Sequence, residues 1–363
     1  MSGRIYVALL NWRSWGDTIE CLESIFRNDY PDYRVIVCDN LSGDGSIEHM
    51  AAWADGNLDA LDSDIEPLRE LTHPPIPKPI RYASYDRNEA EAGGRPEDGD
   101  PPLILIQNGA NLGFSAGMNV AIRYALAKGD FDYFWLLNND TVISADSLSA
   151  LVQRMEERPD AGQCGSTLVY YKPPHEIQCL GGGTFNKWLC RGHLFTRMPE
   201  GEPHLAAARI EESLDFVFGA SLLARKSFIE EIGLLSEDYF LWQEDIDWSL
   251  RGAAKFKLTF APDSLIYHRA GASSDREEQK FRSYISDRCY QENRLTLAIK
   301  FFPAVVPIVY LSYMGAIVNR ALNGKWDRVA MVISIMLRGL VGKVGVARRA
   351  GSSRSPRSSI REK

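Results

Sequence analysis

Four short apolar runs, each stopping abruptly at asparagine or aspartate, restrict this chain more than any other feature. Arg4–Leu10 ends in Asn11-Trp12, Tyr33–Cys38 in Asp39-Asn40, Leu103–Gln107 in Asn108–Asn111, and Phe131–Leu137 in Asn138-Asn139-Asp140. Runs this apolar, with little alternation, read as strands buried on both faces. A helix is expected over Asp17–Asn28, where Ile19, Leu22, Ile25 and Phe26 have helical spacing and Asp17 is placed to cap. Another is expected from Ser115 to Lys128. Strands alternating with such helices imply an α/β fold, Rossmann-like, with a mostly parallel sheet and helices on both faces. Ligands of open sheets bind outside the carboxyl ends of the strands, which is where the polar residues converge.

Three stretches depart from that rhythm. Residues 54–102 read as an acidic insertion, a loop or lid; Ala54–Asp100 alone holds twelve Asp/Glu against five Lys/Arg and is rich in Pro and Gly. Its Tyr82–Arg87 patch is placed either to touch substrate or to lie in solvated loop. Phe301–Val318 carries no charge and Val329–Val341 only Arg338, so 285–345 is expected to form apolar helices lying on or re-entering a membrane surface. A buried hairpin or an interface between copies of the chain accounts for the same composition. From Arg338 onward eight Lys/Arg face one Asp/Glu, which leaves −14 of the overall −7 on residues 1–337. The tail 346–363 thus reads as basic and disordered, and its arginines have no interleaved aromatics. That favours anionic lipid over nucleic acid as a partner. The domain order expected is 1–284, then 285–345, then the tail. Six cysteines without CxxC spacing and no evident signal peptide suggest reduced thiols in a cytoplasmic protein.

Chemistry is concentrated in two acidic segments. In Trp242–Arg251, Glu244, Asp245 and Asp247 sit between two tryptophans in a stretch that otherwise reads as a buried helix. A carboxylate desolvated there acquires a perturbed pKa and can serve as a general base. Asp245 and Asp247 lie roughly 200° apart on a helix, so they cannot both face one cleft. Asp247 and Arg251 also have the spacing of a plain helix ion pair, and Trp242 and Trp248 are expected in the core in preference to serving as sugar-stacking platforms. The second segment, Asn138-Asn139-Asp140, delivers hard oxygen ligands to the sheet edge of the kind Mg²⁺ or Mn²⁺ takes alongside phosphate and water. His268, at the end of a strand over Leu258–Tyr267, is the candidate second ligand; a structural histidine fits the same position. Asn108–Asn119 holds three glycines where a strand meets a helix, suited to an anion at the helix N-terminus or to tight packing. Asp39 can accept from a pyrimidine imide, bind a ribose hydroxyl, or cap a helix from Ser46. Gly181–Gly183 and Phe218–Ser221 read as turns on the acceptor side or as ordinary bends.

Taken together, Val7–Trp12, Val37–Asn40, Asn111–Asn119, Leu137–Asp140, Glu244–Asp247 and His268 resemble the inverting family 2 glycosyltransferases of the GT-A fold, and among them the rhamnosyltransferase-like group. The resemblance covers residues 4 to about 295. It implies transfer of a sugar, L-rhamnose from dTDP-rhamnose foremost, onto a saccharide or polyprenyl-diphosphate-linked acceptor in bacterial cell-surface polysaccharide synthesis. The donor would be held by Asn11, Asp39, Asn111, Gly113, Phe114, Asn119, Asn138, Asn139 and Glu244. Asn138–Asp140 would stand in the family's DxD position, with Asn138 in place of the first aspartate. Asp140 and His268 would hold Mg²⁺ or Mn²⁺, and Asp245 would be the catalytic base. The implied setting is the cytoplasmic face of the membrane, peripheral or monotopic, with a homo-oligomer open.

Nothing in these residues reads the sugar itself, so a UDP-linked donor such as galactofuranose or an N-acetylhexosamine fits equally. A sugar-nucleotide pyrophosphorylase would need a Gly-rich, basic loop after the first strand, where this chain has Asn11–Gly16. A scaffold that merely binds nucleotide sugar would not need Asp140, Asp245 and His268 together.

Overall fold

A computed structural model of the chain describes residues 3–60, 65–200, 202–270 and 276–342. The tail expected over 346–363 lies outside them. The parallel block of the sheet is built from β1 (Ile5–Asn11), β2 (Tyr33–Asp39), β3 (Tyr82–Asp86), β4 (Leu103–Gln107) and β5 (Tyr133–Leu137). Along the sheet they run β5-β1-β2-β4-β3, all parallel. Both faces of this block are covered. Ile5, Val7 and Leu9 of β1 enter one apolar cluster, while Tyr6 and Ala8 enter the other. Such double burial is what the unbroken apolar runs call for.

Beyond β5 the sheet continues through strands of mixed direction. These are β6 (Thr141–Ile143), β7 (Ala161–Tyr170), β8 (Ile177–Leu180), β9 (Gly182–Asn186), β10 (Arg191–Leu194), β11 (Phe216–Val217), β12 (Ser221–Arg225) and β13 (Lys257–His268). β12 is antiparallel to both β5 and β7, and β13 runs parallel to β7 and antiparallel to β6. This brings His268, at the end of β13, opposite Thr141, next to the end of β5.

The acidic stretch 54–102 is not a lid. It contributes β3, the sheet's edge, with Tyr82 opposite Leu103, and short helices over Leu68–Thr72 and Arg87–Glu91. Its attachment is a fully buried carboxylate: Glu23 accepts from Trp53 Nε1 (2.8 Å), the Ile76 amide (2.9 Å) and Lys78 Nζ (2.9 Å). A buried carboxylate is tolerated only when paired and hydrogen-bonded in this way. Smaller differences concern helix ends. The first helix spans Trp15–Ile25 and Asp17 lies inside it, accepting from Ser14 Oγ rather than capping. The helix expected from Ser115 begins at Gly113.

The boundary expected at 284/285 falls within one continuous helix, Arg276–Phe301. Against it pack Val306–Leu322 and Trp326–Leu340. Val309, Tyr313, Met331, Val332 and Ile335 share a core cluster with Tyr239 and Ile246, so these helices belong to the body of the fold. Their outer side is apolar and bare. Leu311, Met314, Val318 and Leu322 form one stripe and Trp326, Ile333, Leu337 and Leu340 a second, all 42–83% exposed. Pro303–Leu322 is long and apolar enough to cross a membrane, and 17% of its apolar window is buried. All six cysteines are free and buried.

Candidate functional site

Strand order reverses at β1: β2 lies on one side and β5 on the other. The crevice of such a switch point is where open α/β sheets hold ligands, and here it is bridged by amides. Asn11, fully buried, donates from Nδ2 to Asp39 Oδ1 (2.7 Å) and to Ser42 Oγ (3.2 Å). Its Oδ1 accepts from Thr18 Oγ1 (3.0 Å) and from Asn139 Nδ2 (3.4 Å). Asp39 Oδ2 accepts from the Ser42 amide and from Gln107 Nε2, both at 3.0 Å. It does not cap the helix from Ser46, whose amide bonds Asp44 instead. Asn40 donates to Gly113 O (3.0 Å), and Asn111 Oδ1 accepts from the Gly113 amide (3.1 Å). Gly113 has φ +79°, and a Cβ there would lie 2.5 Å from Phe240, so the helix can start only with glycine. The next amide, Phe114 N, donates to Phe240 O (2.7 Å). The helix N-terminus is thereby tied to the loop that leads to Asp245.

On the β5 side the strand-end residues meet His268. Its Nδ1 lies 2.7 Å from Gln178 Oε1, an acceptor, so Nδ1 carries a proton and Nε2 is the nitrogen that faces Asp140. Asn138 Nδ2 lies 3.2 Å from Nε2. Asp140 Oδ1 is also 3.2 Å from Nε2. At that distance either a proton on Nε2 or a shared cation joins the imidazole to the carboxylate. Ligands held about 2.1 Å from one ion at adjacent octahedral corners are about 3 Å apart, so the pair fits Mg²⁺ or Mn²⁺. Among the described residues no group of three or more His, Cys, Asp or Glu is arranged to hold a metal ion. A cation here would therefore draw its remaining ligands from substrate oxygens and water. Gln178, in β8, has no sequence signal of its own; only the fold brings it to His268.

Glu244 and Asp245 open the helix Glu244–Gly252. Asp245 is 9% exposed; its Oδ2 accepts from the Gly219 amide (2.9 Å) and its Oδ1 from the Ile246 amide (2.8 Å). A Cβ on Gly219 would sit 3.3 Å from Asp245 Cβ, and only glycine gives that approach without crowding. Burial raises the pKa of Asp245, and the two N–H donors oppose the rise. Glu244 has less relief, with only a backbone hydrogen bond of its own and none on Oε2, and burial with the neighbouring Asp245 charge pushes its pKa up to about 8. Of the two, Asp245 is the one whose charged form is supported by N–H donors, and Glu244 the one that burial holds towards its acid form. Asp247 is consumed elsewhere, accepting from Arg251 Nε (2.7 Å) and Lys300 Nζ (2.5 Å).

The turn Phe218–Ala220 joins the two halves. Gly219 bonds Asp245, Ala220 O accepts from the Asn138 amide (2.9 Å), and the Phe218 ring lies 6.5 Å from the imidazole of His268. Asn11, Asp39, Asn111, Gly113, Phe114, Asn138, Asn139, Asp140, Glu244, Asp245 and His268 are all linked around this edge. Asn119 is not. Its amide bridges the helix to Leu235 and Glu237 and is fully used there. Trp248 is buried as expected, but Trp242 is 42% exposed. Gly182 and Gly183 are in β9, where Phe216 O and His193 O leave no room for a Cβ.

Residues 84–231 match the family model described as Glycosyl transferase family 2. That stretch, 148 of the 363 residues, is similar to family 2 glycosyltransferases. The matched stretch includes Asn138–Asp140 and the Phe218–Ala220 turn and stops short of Glu244. Among curated proteins the chain is 26% identical over 193 residues to the N-acetylglucosaminyl-diphospho-decaprenol L-rhamnosyltransferase of Mycobacterium tuberculosis strain H37Rv, covering 49% of the chain and 62% of that relative. The match thus spans less than two thirds of the relative's length. It is also 21% identical over 257 residues to the low-salt glycan biosynthesis hexosyltransferase Agl10 of Haloferax volcanii, covering 68% of the chain and 78% of the relative. Among solved structures it is similar in fold to a Pyrobaculum calidifontis mannosyltransferase in complex with GDP-Man and Mn²⁺. There the TM-score is 0.51 at 14% identity, over 94% of this chain and 88% of that one.

The raised pKa of Glu244 has a consequence for stability. An acid that ionises near 4.5 unfolded and near 8 folded binds more protons in the folded state between those values. Stability is therefore lost as pH rises from about 4.5 to about 8. Glu244→Gln removes this loss, so the variant's melting temperature should exceed that of wild type by a margin that grows across that window. Thermal scans from pH 4.5 to 9 check it, and a pH-independent difference would refute it.

Proposed function

We propose that the chain is an inverting glycosyltransferase that moves a sugar from a nucleoside-diphosphate donor to a hydroxyl of a saccharide acceptor. The observation that carries the reading is the arrangement around Phe218–Ala220, which links the pair Asp140/His268 to a buried carboxylate held by two amides. Asp245 takes the proton of the acceptor hydroxyl as its oxygen attacks the anomeric carbon. The bond from that carbon to the diphosphate breaks on the opposite side, and configuration inverts. Asp140 and His268 are the residues that would hold a divalent cation, which when bound neutralises charge on the departing diphosphate. Gln178 holds the proton on Nδ1 and leaves Nε2 facing Asp140. Asn111 and the opening of the helix Gly113–Lys128 orient the phosphates, while Asp39 and Asn139 stand on the donor side, braced by the buried Asn11.

For the donor we infer a dTDP-linked L-rhamnose, and for the acceptor a saccharide on a polyprenyl diphosphate. Support comes from the activity for which the mycobacterial relative is named and from the bare apolar stripes of the last two helices. Those stripes, followed in sequence by a basic tail, suit peripheral attachment to the cytoplasmic face of a membrane rich in anionic lipid.

Nucleoside-diphosphate release from a panel of dTDP- and UDP-sugars should be greatest with dTDP-rhamnose, require Mg²⁺ or Mn²⁺, and fall at least about a hundredfold in both Asp140→Ala and Asp245→Asn. Turnover of a UDP-sugar alone would replace the donor and keep the mechanism; metal-independent turnover untouched by Asp245→Asn would overturn it. On membranes, the full chain should sediment with vesicles containing phosphatidylglycerol, and Leu322→Asp with Leu337→Asp should abolish this. Equal recovery of wild type and variant in the supernatant would refute the attachment.

A further inference from the structure

One cation in the hairpin of β9 and β10 has no counter-charge. Arg191 opens β10, opposite Asn186 of β9. Among the described residues its guanidinium pairs with no carboxylate, and its Nε, shielded from solvent, has no hydrogen-bond partner. A polar group shut away from water in this state is rare and calls for an explanation. Gly192, the next residue, faces Phe216 and Ile246, so strand alternation turns Arg191 away from them. The charge of Arg191 is felt instead by Arg294, whose pKa burial lowers and Arg191 lowers further.

Arg294 is the second, independent observation. It is fully buried in the helix Arg276–Phe301 and donates to Leu189 O from Nε (3.0 Å) and Nη2 (2.8 Å), to Gln291 Oε1 (3.0 Å) and to Ser312 Oγ (2.7 Å). None of these acceptors is anionic. A buried cation is ordinarily matched by a carboxylate, yet among the described residues neither guanidinium has one. The backbone between them is fixed in advance. Asn186 Oδ1 accepts from the Trp188 and Leu189 amides (3.0 and 3.1 Å), and Cys190 is held in the left-handed region at φ +48°. Two uncompensated positive charges, one of them with free N–H donors, match a phosphoryl group, which supplies negative charge and acceptor oxygens together.

We propose that Arg191 binds the phosphoryl groups of the acceptor, the diphosphate that joins its sugar to the lipid. The proposal rests on the glycosyltransferase reading above and on its lipid-linked acceptor. The placement of the hairpin supports it from both sides. Towards the reacting centre, Cys190 O accepts from Gln243 Nε2 (3.5 Å), two residues ahead of Asp245. Towards the apolar helices, the Phe185 ring stacks on Phe302 at 5.8 Å, and Arg294 ties Leu189 to Ser312 of the helix Val306–Leu322. At the hairpin tip Lys187 Nζ lies 5.6 Å from the Trp188 ring, which is 54% exposed, a pairing suited to a headgroup region. The carboxylate, the unpaired cation and the apolar stripe thus follow in the order of the acceptor's hydroxyl, diphosphate and prenyl chain. The headgroups of an anionic membrane offer the same phosphoryl chemistry.

The test uses the full chain as wild type, Arg191→Ala and Arg191→Lys, with matched melting temperatures as a fold control. Two acceptors are compared: N-acetylglucosaminyl-diphospho-farnesol, and octyl β-N-acetylglucosaminide, which has an apolar chain and no phosphate. Arg191→Ala should raise the KM of the diphosphate acceptor about tenfold or more and leave those of the octyl glycoside and of dTDP-rhamnose within about twofold. Arg191→Lys should restore part of the loss. An unchanged KM, or an equal loss with both acceptors, overturns the proposal. Sedimentation with phosphatidylglycerol vesicles separates the two sources of phosphate: it should be the same for wild type and Arg191→Ala. A loss confined to the vesicles assigns Arg191 to lipid headgroups and overturns the proposal. Calorimetric titration of the diphosphate acceptor needs no turnover. Wild type should bind it at least about tenfold more tightly than Arg191→Ala, and equal or no binding overturns the site. Binding that depends on Arg191, without turnover of any donor, leaves the site standing and refutes the transferase reading alone.

Discussion

Everything at the functional edge depends on satisfying one buried amide. Asn11 ends a strand packed on both faces and is fully buried. Leaving such a group without partners costs about 1–3 kcal/mol per polar atom. Its partners come from every neighbouring element: Asp39 from β2, Ser42 after it, Thr18 from the first helix, and Asn139 from the end of β5. Because β1 is paired with both β2 and β5, the network locks the loop 138–140 to the sheet at the switch point. Asp140 and Asn138 are then presented to β13, whose pairing with β6 and β7 delivers His268 in register. Asp140 and His268 are thus held by the sheet.

The carboxylate side of the site is supported from a different direction. Asp245 is positioned by the Phe218–Ala220 turn and by the start of its own helix, and that helix is braced by the C-terminal region. Lys300 and Arg251 neutralise Asp247, and Asn293 fixes the two carbonyls ahead of Gln243. The helix Arg276–Phe301 therefore buttresses the chemistry on one side and carries the apolar outer helices on the other. A change in how the outer helices are packed would be felt at the loop before Asp245, through residues that touch no substrate.

Much of this was legible in the sequence because the parallel strands are buried twice over. A run such as Val35-Ile36-Val37-Cys38 has no other comfortable home, and its polar terminus marks the ligand-binding edge. Asp247 with Arg251 was equally readable from helical spacing. What escaped were elements whose pattern is set by partners distant in sequence. β3 alternates as Tyr82-Ala83-Ser84-Tyr85-Asp86, with Ala83 and Tyr85 buried, but it is embedded in an acidic Pro- and Gly-rich stretch that reads as loop. In β9, Gly182 and Gly183 look like a turn, yet they are strand residues made small by the backbones of β10 and β11. Gln178 is invisible without β13 beside it. Trp242 was read as core in preference to a sugar-stacking platform, whereas the ring is 42% exposed, with its backbone at +75° and its N–H on Ser286. Asn119 was linked to the site by motif, whereas its amide faces the Leu235–Glu237 loop.

The central claim is that Asp140 Oδ1 and His268 Nε2, 3.2 Å apart, share one divalent cation. Pulsed electron paramagnetic resonance on the full chain with Mn²⁺ and a nucleoside diphosphate addresses it without any need for turnover. The account predicts a ¹⁴N coupling from a directly bound imidazole, present in wild type and lost in His268→Gln. A spectrum with ³¹P coupling and no nitrogen, unchanged by that substitution, would mean that the cation is held by the diphosphate and carboxylate alone, and that His268 is a structural residue.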